Sequence, residues 1–174
     1  MKTFIEIGAC DFGTLNGLAD QGGWQGVIVE PVKKYLDRLE RHQNVTYLNA
    51  AIDQAEGERE LWLCSDDLCE RDRDYSGMSS FHKWPAHTQS IIVKTLTYSQ
   101  LLKQCGFTRV DYLKIDTEGH DYEILKTVDF SAQVRPQLIK VEHKHCKLNN
   151  ILKLLEENDY LCDVTEQDVW AIAK

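Results

Sequence analysis

No run in these 174 residues approaches the roughly 18 apolar positions of a membrane-spanning helix, so no membrane partner is expected. No basic segment followed by an apolar one precedes the first strand-like stretch, which argues against a secretory signal and for a cytoplasmic protein. Cations are the minority: 20 Lys and Arg stand against 28 Asp and Glu, a formal charge of −8. Nucleic-acid backbones are bound through clustered cations. The cluster present, Lys33, Lys34, Arg38 and Arg41, has the spacing of a solvated helix face beside Asp37 and Glu40, so no nucleic acid is expected. The six cysteines (10, 64, 69, 105, 146 and 162) form no CxxC pair and no metal-finger spacing, which leaves reduced thiols filling the core. Internal repeats, low-complexity tracts and domain boundaries are absent too. The length and the 43% hydrophobic content suit one domain over 1–174.

What is present begins with Phe4-Ile5-Glu6-Ile7-Gly8-Ala9-Cys10-Asp11-Phe12-Gly13-Thr14: an apolar strand, a glycine turn and a helix start near Thr14. Such a unit turns backbone N–H groups toward a ligand. A second strand, Gly26 to Val29, ends at Glu30-Pro31. Glu30 thus lies about 20 residues beyond Gly8, where nucleoside-binding α/β folds put a carboxylate for ribose hydroxyls. The pattern then predicts a helix over 32–42, a third strand over 45–52 and a hairpin-like strand over 60–63. The polar segment 65–90 breaks this rhythm and reads as a binding loop or lid inserted in the domain. Its Tyr75, His82, Trp84 and His87 suit stacking on a sugar or aromatic ring, or simply shielding a site.

Strand character returns over 91–96, and Thr97 caps a helix over 98–105 closed by Gly106. A strand over 110–116, a helix over 122–128, a strand over 137–142 and a helix over 148–158 follow. Two final strands, 160–164 and 169–173, have a link short enough for an antiparallel hairpin. Alternating strands and helices specify an α/β fold with a parallel sheet.

Four core strands end in acids: Glu6, Glu30, Asp116 and Glu142. At the carboxyl edge of a parallel sheet they would make a negative cleft for a cationic ligand or a metal ion. The turn separates the candidate ligands. Aligned to G-x-G-x-x-G, positions 8, 10 and 13 lack the middle glycine that admits a pyrophosphate, and no G-K-[ST] follows for a P-loop. S-adenosyl-L-methionine carries no phosphate. Its ammonium, sulfonium and ribose diol match acids at 6, 30 and 116.

The chain here resembles a known family, the FkbM-type S-adenosylmethionine-dependent methyltransferases. The resemblance is carried by Phe4 to Ala9 with Gly13, Val29-Glu30-Pro31, Asn49-Ala50-Ala51-Ile52 with Gly57, and Thr95-Leu96-Thr97. Its most specific part is Leu113-Lys114-Ile115-Asp116-Thr117-Glu118-Gly119-His120-Asp121, followed by Val141-Glu142. It departs at Cys10-Asp11-Phe12, where members commonly carry Asn and a further glycine. The resemblance implies a Rossmann-like class I methyltransferase fold, a mostly parallel seven-stranded sheet with an antiparallel C-terminal strand and helices on both faces. It also implies roles by position. Glu6, Gly8, Ala9 and Gly13 would surround the methionine part, with Cys10 and Thr14 in the same turn. Glu30 and Pro31 would lie at the ribose, Ala51 and Ile52 on the adenine side, Ser79 and Ser80 near cofactor or substrate. Asp116 would lie beside the cofactor's amino acid or the acceptor.

Methyl transfer asks a protein to align a nucleophile and, for a hydroxyl, to take its proton. Asp116, Glu118, His120, Glu142 and His143 are the candidate catalytic residues, although each histidine also suits a helix start or a surface. Glu118 equally suits a helix N-terminus. His143 and His145 alternate on a strand end and face opposite ways, so with Cys146 they hold no metal. No metal is expected; magnesium on Asp116, Glu118 and Glu142 is the alternative. The reading is an O-directed methyltransferase with a small-molecule or carbohydrate acceptor. A nicotinamide-dependent reductase on a similar fold and a non-catalytic cofactor-binding module stand as alternatives.

Overall fold

The computed structural model describes residues 1–72, 74–131 and 133–174; Arg73, within the polar segment, and Ala132 lie outside the described residues. The strands in chain order are β1 (Lys2–Ile7), β2 (Trp24–Val29), β3 (Val45–Leu48), β4 (Ala51–Ile52), β5 (Gly57–Leu63), β6 (Gln89–Leu96), β7 (Tyr112–Ile115), β8 (Leu138–Glu142), β9 (Tyr160–Val164) and β10 (Asp168–Ala173). The α-helices are α1 (Lys33–Leu36), α2 (Asp66–Arg71), α3 (Asp74–Gly77), α4 (Tyr98–Cys105), α5 (Asp121–Leu125) and α6 (Leu148–Glu157).

Seven strands form one sheet in the order β3-β2-β1-β7-β8-β10-β9. From β3 to β8 every pairing is parallel, while β10 runs antiparallel to both of its neighbours. This is the mostly parallel seven-stranded sheet with a reversed C-terminal strand that the family resemblance implies. The winding changes direction at β1, leaving a crevice at the carboxyl ends of β1, β2 and β7. Period-2 alternation decides which side chain meets which layer. Ile5 and Ile7 of β1 join the core packed by α4, α5 and α6, whereas Phe4 faces Leu15, Leu36 and Leu39 on the opposite side.

Several elements differ from the sequence expectation, among them α2 and α3 within the segment read as a loop, and three have a clear local reason. The stretch 45–52 is two strands: Asn49 donates to the carbonyls of Glu30 (3.0 Å) and Pro31 (2.8 Å), and the chain leaves β3 to pair Ala51 and Ile52 with β6. There β4 joins β6 and β5 in a second, three-stranded sheet. The helix expected over 32–42 is regular only over Lys33–Leu36, because the next amides bond three residues back, Arg38 to Tyr35 and Leu39 to Leu36. The helix expected near Thr14 is a 3-10 helix over Asn16–Gln21. By contrast α4 has the expected start and stop: a reciprocal capping box between Thr97 and Gln100, and Gly106 in the left-handed region. Among the described residues no helix is long and apolar enough to cross a membrane.

Candidate active site

The turn after β1 is built around two carboxylates. Gly8, at φ +83°, donates to the Val29 carbonyl, and a Cβ there would lie 1.8 Å from the carbonyl oxygen of Asp116. Only glycine permits the β1 and β7 ends to approach so closely. Cys10, also at positive φ, points its N–H at Glu30 Oε2 (2.8 Å), and Val32 N–H donates to Glu30 Oε1 (2.8 Å). Glu30 is therefore held rigidly at the end of β2. Burial, only partly offset by those two N–H donors, pushes its carboxyl up to about 7.

Glu6 has a different position. Alternation along β1 sends it to the face opposite Ile7, where it accepts from Thr14 N–H (2.8 Å), Thr14 Oγ1 (2.7 Å) and Leu15 N–H (2.9 Å). Lys114, next to it on β7, lies 3.2 Å from Glu6 and 3.2 Å from Asp116. Burial alone would lower the Lys114 pKa; Glu6 and Asp116 outweigh it and raise it. Glu6 thus organises the turn from beneath, and the N–H groups of Thr14 and Leu15 are bonded to it and not presented to a ligand. Ala9, Gly13 and Thr14 likewise lie outside the cavity lining.

Above the turn lies a cavity of about 530 Å³, open mouth included. Gly8, Cys10, Glu30, Pro31, Ala51, Ile52, Ser79 and Asp116 line it together. Its remaining wall is largely apolar, from Ile7, Val29, Leu61, Phe81 and Ile124. Burial pushes the Cys10 thiol up to about 12, so it is a neutral wall group. Residues that sequence reasoning missed also line the cavity, notably Ser76 and Thr117. Thr117 Oγ1 is buried without a hydrogen-bond partner, and only its place beside Asp116 in the motif hinted at this. Part of the 65–90 segment forms the cavity's cover: Ser76, Gly77, Ser79 and Phe81 face inward, while Ser80 Oγ donates to the Glu118 carbonyl (2.6 Å). His87 is used internally, its ring nitrogens bonded to Trp84 N–H (3.0 Å) and the Met78 carbonyl (2.7 Å).

His120 lines both this cavity and an adjoining outer groove. Its Nε2 lies 2.9 Å from Asp53 Oδ1, and its ring meets Phe81 edge-on at 5.0 Å. Arg59 Nη1 donates to the second Asp53 oxygen (2.7 Å). Despite partial burial, the Arg59, Gln54 and His120 bonds hold the Asp53 carboxyl below its usual range. Burial, against the pull of Asp53, lowers the His120 pKa, so at neutral pH it is a neutral imidazole. A carboxylate only accepts, so Nε2 carries the proton and Nδ1 the lone pair. Asp53, just past the strand expected over 45–52 and outside every candidate site read from the sequence, orients this histidine. His143 is elsewhere: its Nε2 contacts the Thr165 carbonyl (3.1 Å), and it lines neither the cavity nor the groove.

The remaining acids gather around Asp116. Glu118, at φ +54°, and Glu142 bring carboxylate oxygens within 4.8 Å of each other and of Asp116. Burial, then Asp116, raises Glu118 to about 7; burial, then Glu118 and Asp116, raises Glu142 to about 8. Buried Asp121 braces the turn by accepting from Thr117 N–H (2.7 Å) and Gly119 N–H (2.9 Å).

A doubly wound sheet with one reversed strand, a glycine turn and a buried strand-2 acid beside a cavity defines a Rossmann-like class I methyltransferase fold. The FkbM methyltransferase domain matches residues 6–162, and the chain belongs to that family of S-adenosylmethionine-dependent methyltransferases. Of the sequence alternatives, this selects methyl transfer over hydride transfer. No curated protein matches the chain in sequence. Among solved structures it is similar to a chain of a fibrillarin/Nop5p complex, at 14% identity and TM-score 0.47, over 98% of this chain and 70% of that one. A precorrin-6y C5,15-methyltransferase from Geobacter metallireducens GS-15 matches at the same identity and TM-score, over 98% of this chain and 77% of that one.

Proposed function

We propose that the protein O-methylates a hydroxyl of a small-molecule or sugar-like acceptor, with S-adenosyl-L-methionine in the cavity above the first turn. The observation that carries the cofactor's placement is Glu30: a buried acid, clamped by two backbone N–H groups, lining a cavity whose other walls are mostly apolar. Each of its oxygens has a second lone pair free for a ribose hydroxyl. Ala51, Ile52 and Phe81 suit the adenine ring, and Asp116 with the unpartnered Thr117 hydroxyl suits the amino-acid end. The residues present therefore fit the cofactor. Glu6 acts indirectly, by holding the turn.

When bound, S-adenosylmethionine supplies a methyl group activated by positive sulfur. The chain's own residues position the acceptor and remove its proton. Among the candidate bases we assign that task to His120, a neutral imidazole fixed by Asp53 between the cavity and the outer groove, so the acceptor enters through that groove. The 65–90 segment excludes water.

The test is isothermal titration with S-adenosylmethionine, followed by a screen of hydroxylated acceptors for S-adenosylhomocysteine release. Submicromolar to micromolar binding lost in Glu30→Ala, with release dependent on a hydroxyl, is expected. No heat at high protein concentration, with Glu30→Ala indistinguishable, would sink the cofactor assignment; binding without turnover on any acceptor would point to the non-catalytic module.

A further inference from the structure

We propose that Asp116, Glu118 and Glu142 form a binding site for one divalent cation of the magnesium or manganese type, beside the cofactor cavity. Three carboxylates on two adjacent strand ends place one oxygen each within 4.8 Å of the others. Two oxygens on opposite sides of a magnesium-sized ion, each at about 2.1 Å, are about 4.2 Å apart, so small side-chain adjustments suffice to share an ion.

An acid cluster alone would be unremarkable on a solvated edge. Glu142 sets this one apart. It is 6% exposed, and its buried Oε2 has no hydrogen-bond partner. A buried carboxylate oxygen without a donor is costly. Cations nearby do not answer it. Lys114 is 3.2 Å from Asp116 Oδ2, and His145 is 3.1 Å from Glu118 Oε2; neither is paired with Glu142. Lys114 is shared with Glu6, and Lys144 acts on Glu118 and Glu142 without an ion pair to either, so the ionised acids keep an excess of negative charge that a divalent ion would offset. The geometry is also held in place. Glu118 sits in the left-handed region, its carbonyl is bonded by Ser80, and Asp121 secures the amides on either side. The sequence alone gave no reason to prefer an ion here; the orphaned oxygen does.

Because Asp116 also lines the cavity, an ion held there could take the acceptor hydroxyl as a further ligand and ease its ionisation, the proton passing to His120 or to water. That use rests on the methyl-transfer reading; the site does not.

Manganese is the probe. The full-length chain is titrated with MnCl2 near pH 8 in physiological salt, without cofactor, and free manganese is followed by its paramagnetic resonance signal. One site is expected, displaced by excess magnesium, and weakened at least about tenfold by Glu142→Gln and by Glu118→Gln. Exposed Glu157→Gln should leave it unchanged. Absence of binding at millimolar manganese, as a proton shared among the acids predicts, overturns the proposal. So does binding that survives both substitutions. Should Glu142→Gln fail to fold, the wild-type titration and Glu118→Gln still decide. Failure of S-adenosylmethionine binding would leave this result untouched.

Discussion

With Glu30 at the ribose, as proposed above, cofactor binding depends on pH in a calculable way. The Glu30 carboxyl titrates near 7 in the folded chain against an ordinary 4.5, chiefly because it is buried. Between those values the folded state holds a proton that the unfolded state has lost. Stability therefore falls as pH rises through that window, by roughly 3 kcal/mol in total. Ribose hydroxyls donate best to the ionised carboxylate, so the ligand binds the deprotonated form and releases a proton below pH 7. Affinity for S-adenosylhomocysteine should rise about tenfold per pH unit up to about 7 and then level off. At pH 6 binding should be about tenfold weaker than on the plateau, or ~1.4 kcal/mol. Titration calorimetry from pH 5.5 to 8.5, in two buffers of different ionisation enthalpy, measures both the affinity and the proton count. Glu118 and Glu142 also titrate near this range, so Glu30→Gln is the control: it should bind weakly and lose the dependence. A flat wild-type profile below pH 7, or a slope that survives in Glu30→Gln, would refute the reasoning.

Other consequences are more direct. Gly8→Ala drives a methyl into the Asp116 carbonyl and should cost more than about 3 kcal/mol in urea unfolding, whereas Gly22→Ala, with open space around it, should cost only about 1 kcal/mol of backbone strain. Lys114→Met leaves Glu6 and Asp116 without their shared cation and should destabilise by about 3–5 kcal/mol, seen as a lower denaturant midpoint. Asp53→Asn should lower turnover at least about a hundredfold while cofactor affinity stays within about twofold, because it misorients His120 without touching the cofactor walls. Thr97→Ala removes one half of the α4 capping box and should cost about 1 kcal/mol by chemical denaturation.

Signals confined to a few neighbouring residues were legible before folding. The glycine turn, the strand ending in Glu30, the Thr97 cap and the closing hairpin depend on local backbone preferences and short periodicities, so they survive in the linear text. The motif from Leu113 to Asp121 pointed to the family for the same reason. Glu6 shows the limit of that approach. Its nearness to a strand end suggested a ligand acid, yet the alternation that buries Ile7 under the cavity sends Glu6 to the other face, with Lys114 and the turn amides. Register against β7, a long-range property, decides what Glu6 touches.

The sequence by itself determined the class of fold, the family and the carboxylate at the end of β2. The tertiary structure alone decided the pairing of Asp53 with His120, the inward face of the 65–90 segment and the unpartnered oxygen of Glu142 among the acids that the sequence had grouped. Asp53 and His120 are far apart in the chain, as are Ser80 and Glu118. Such contacts are set by how strands order in a sheet and how loops close over its edge. No periodicity or motif encodes a distance across that edge.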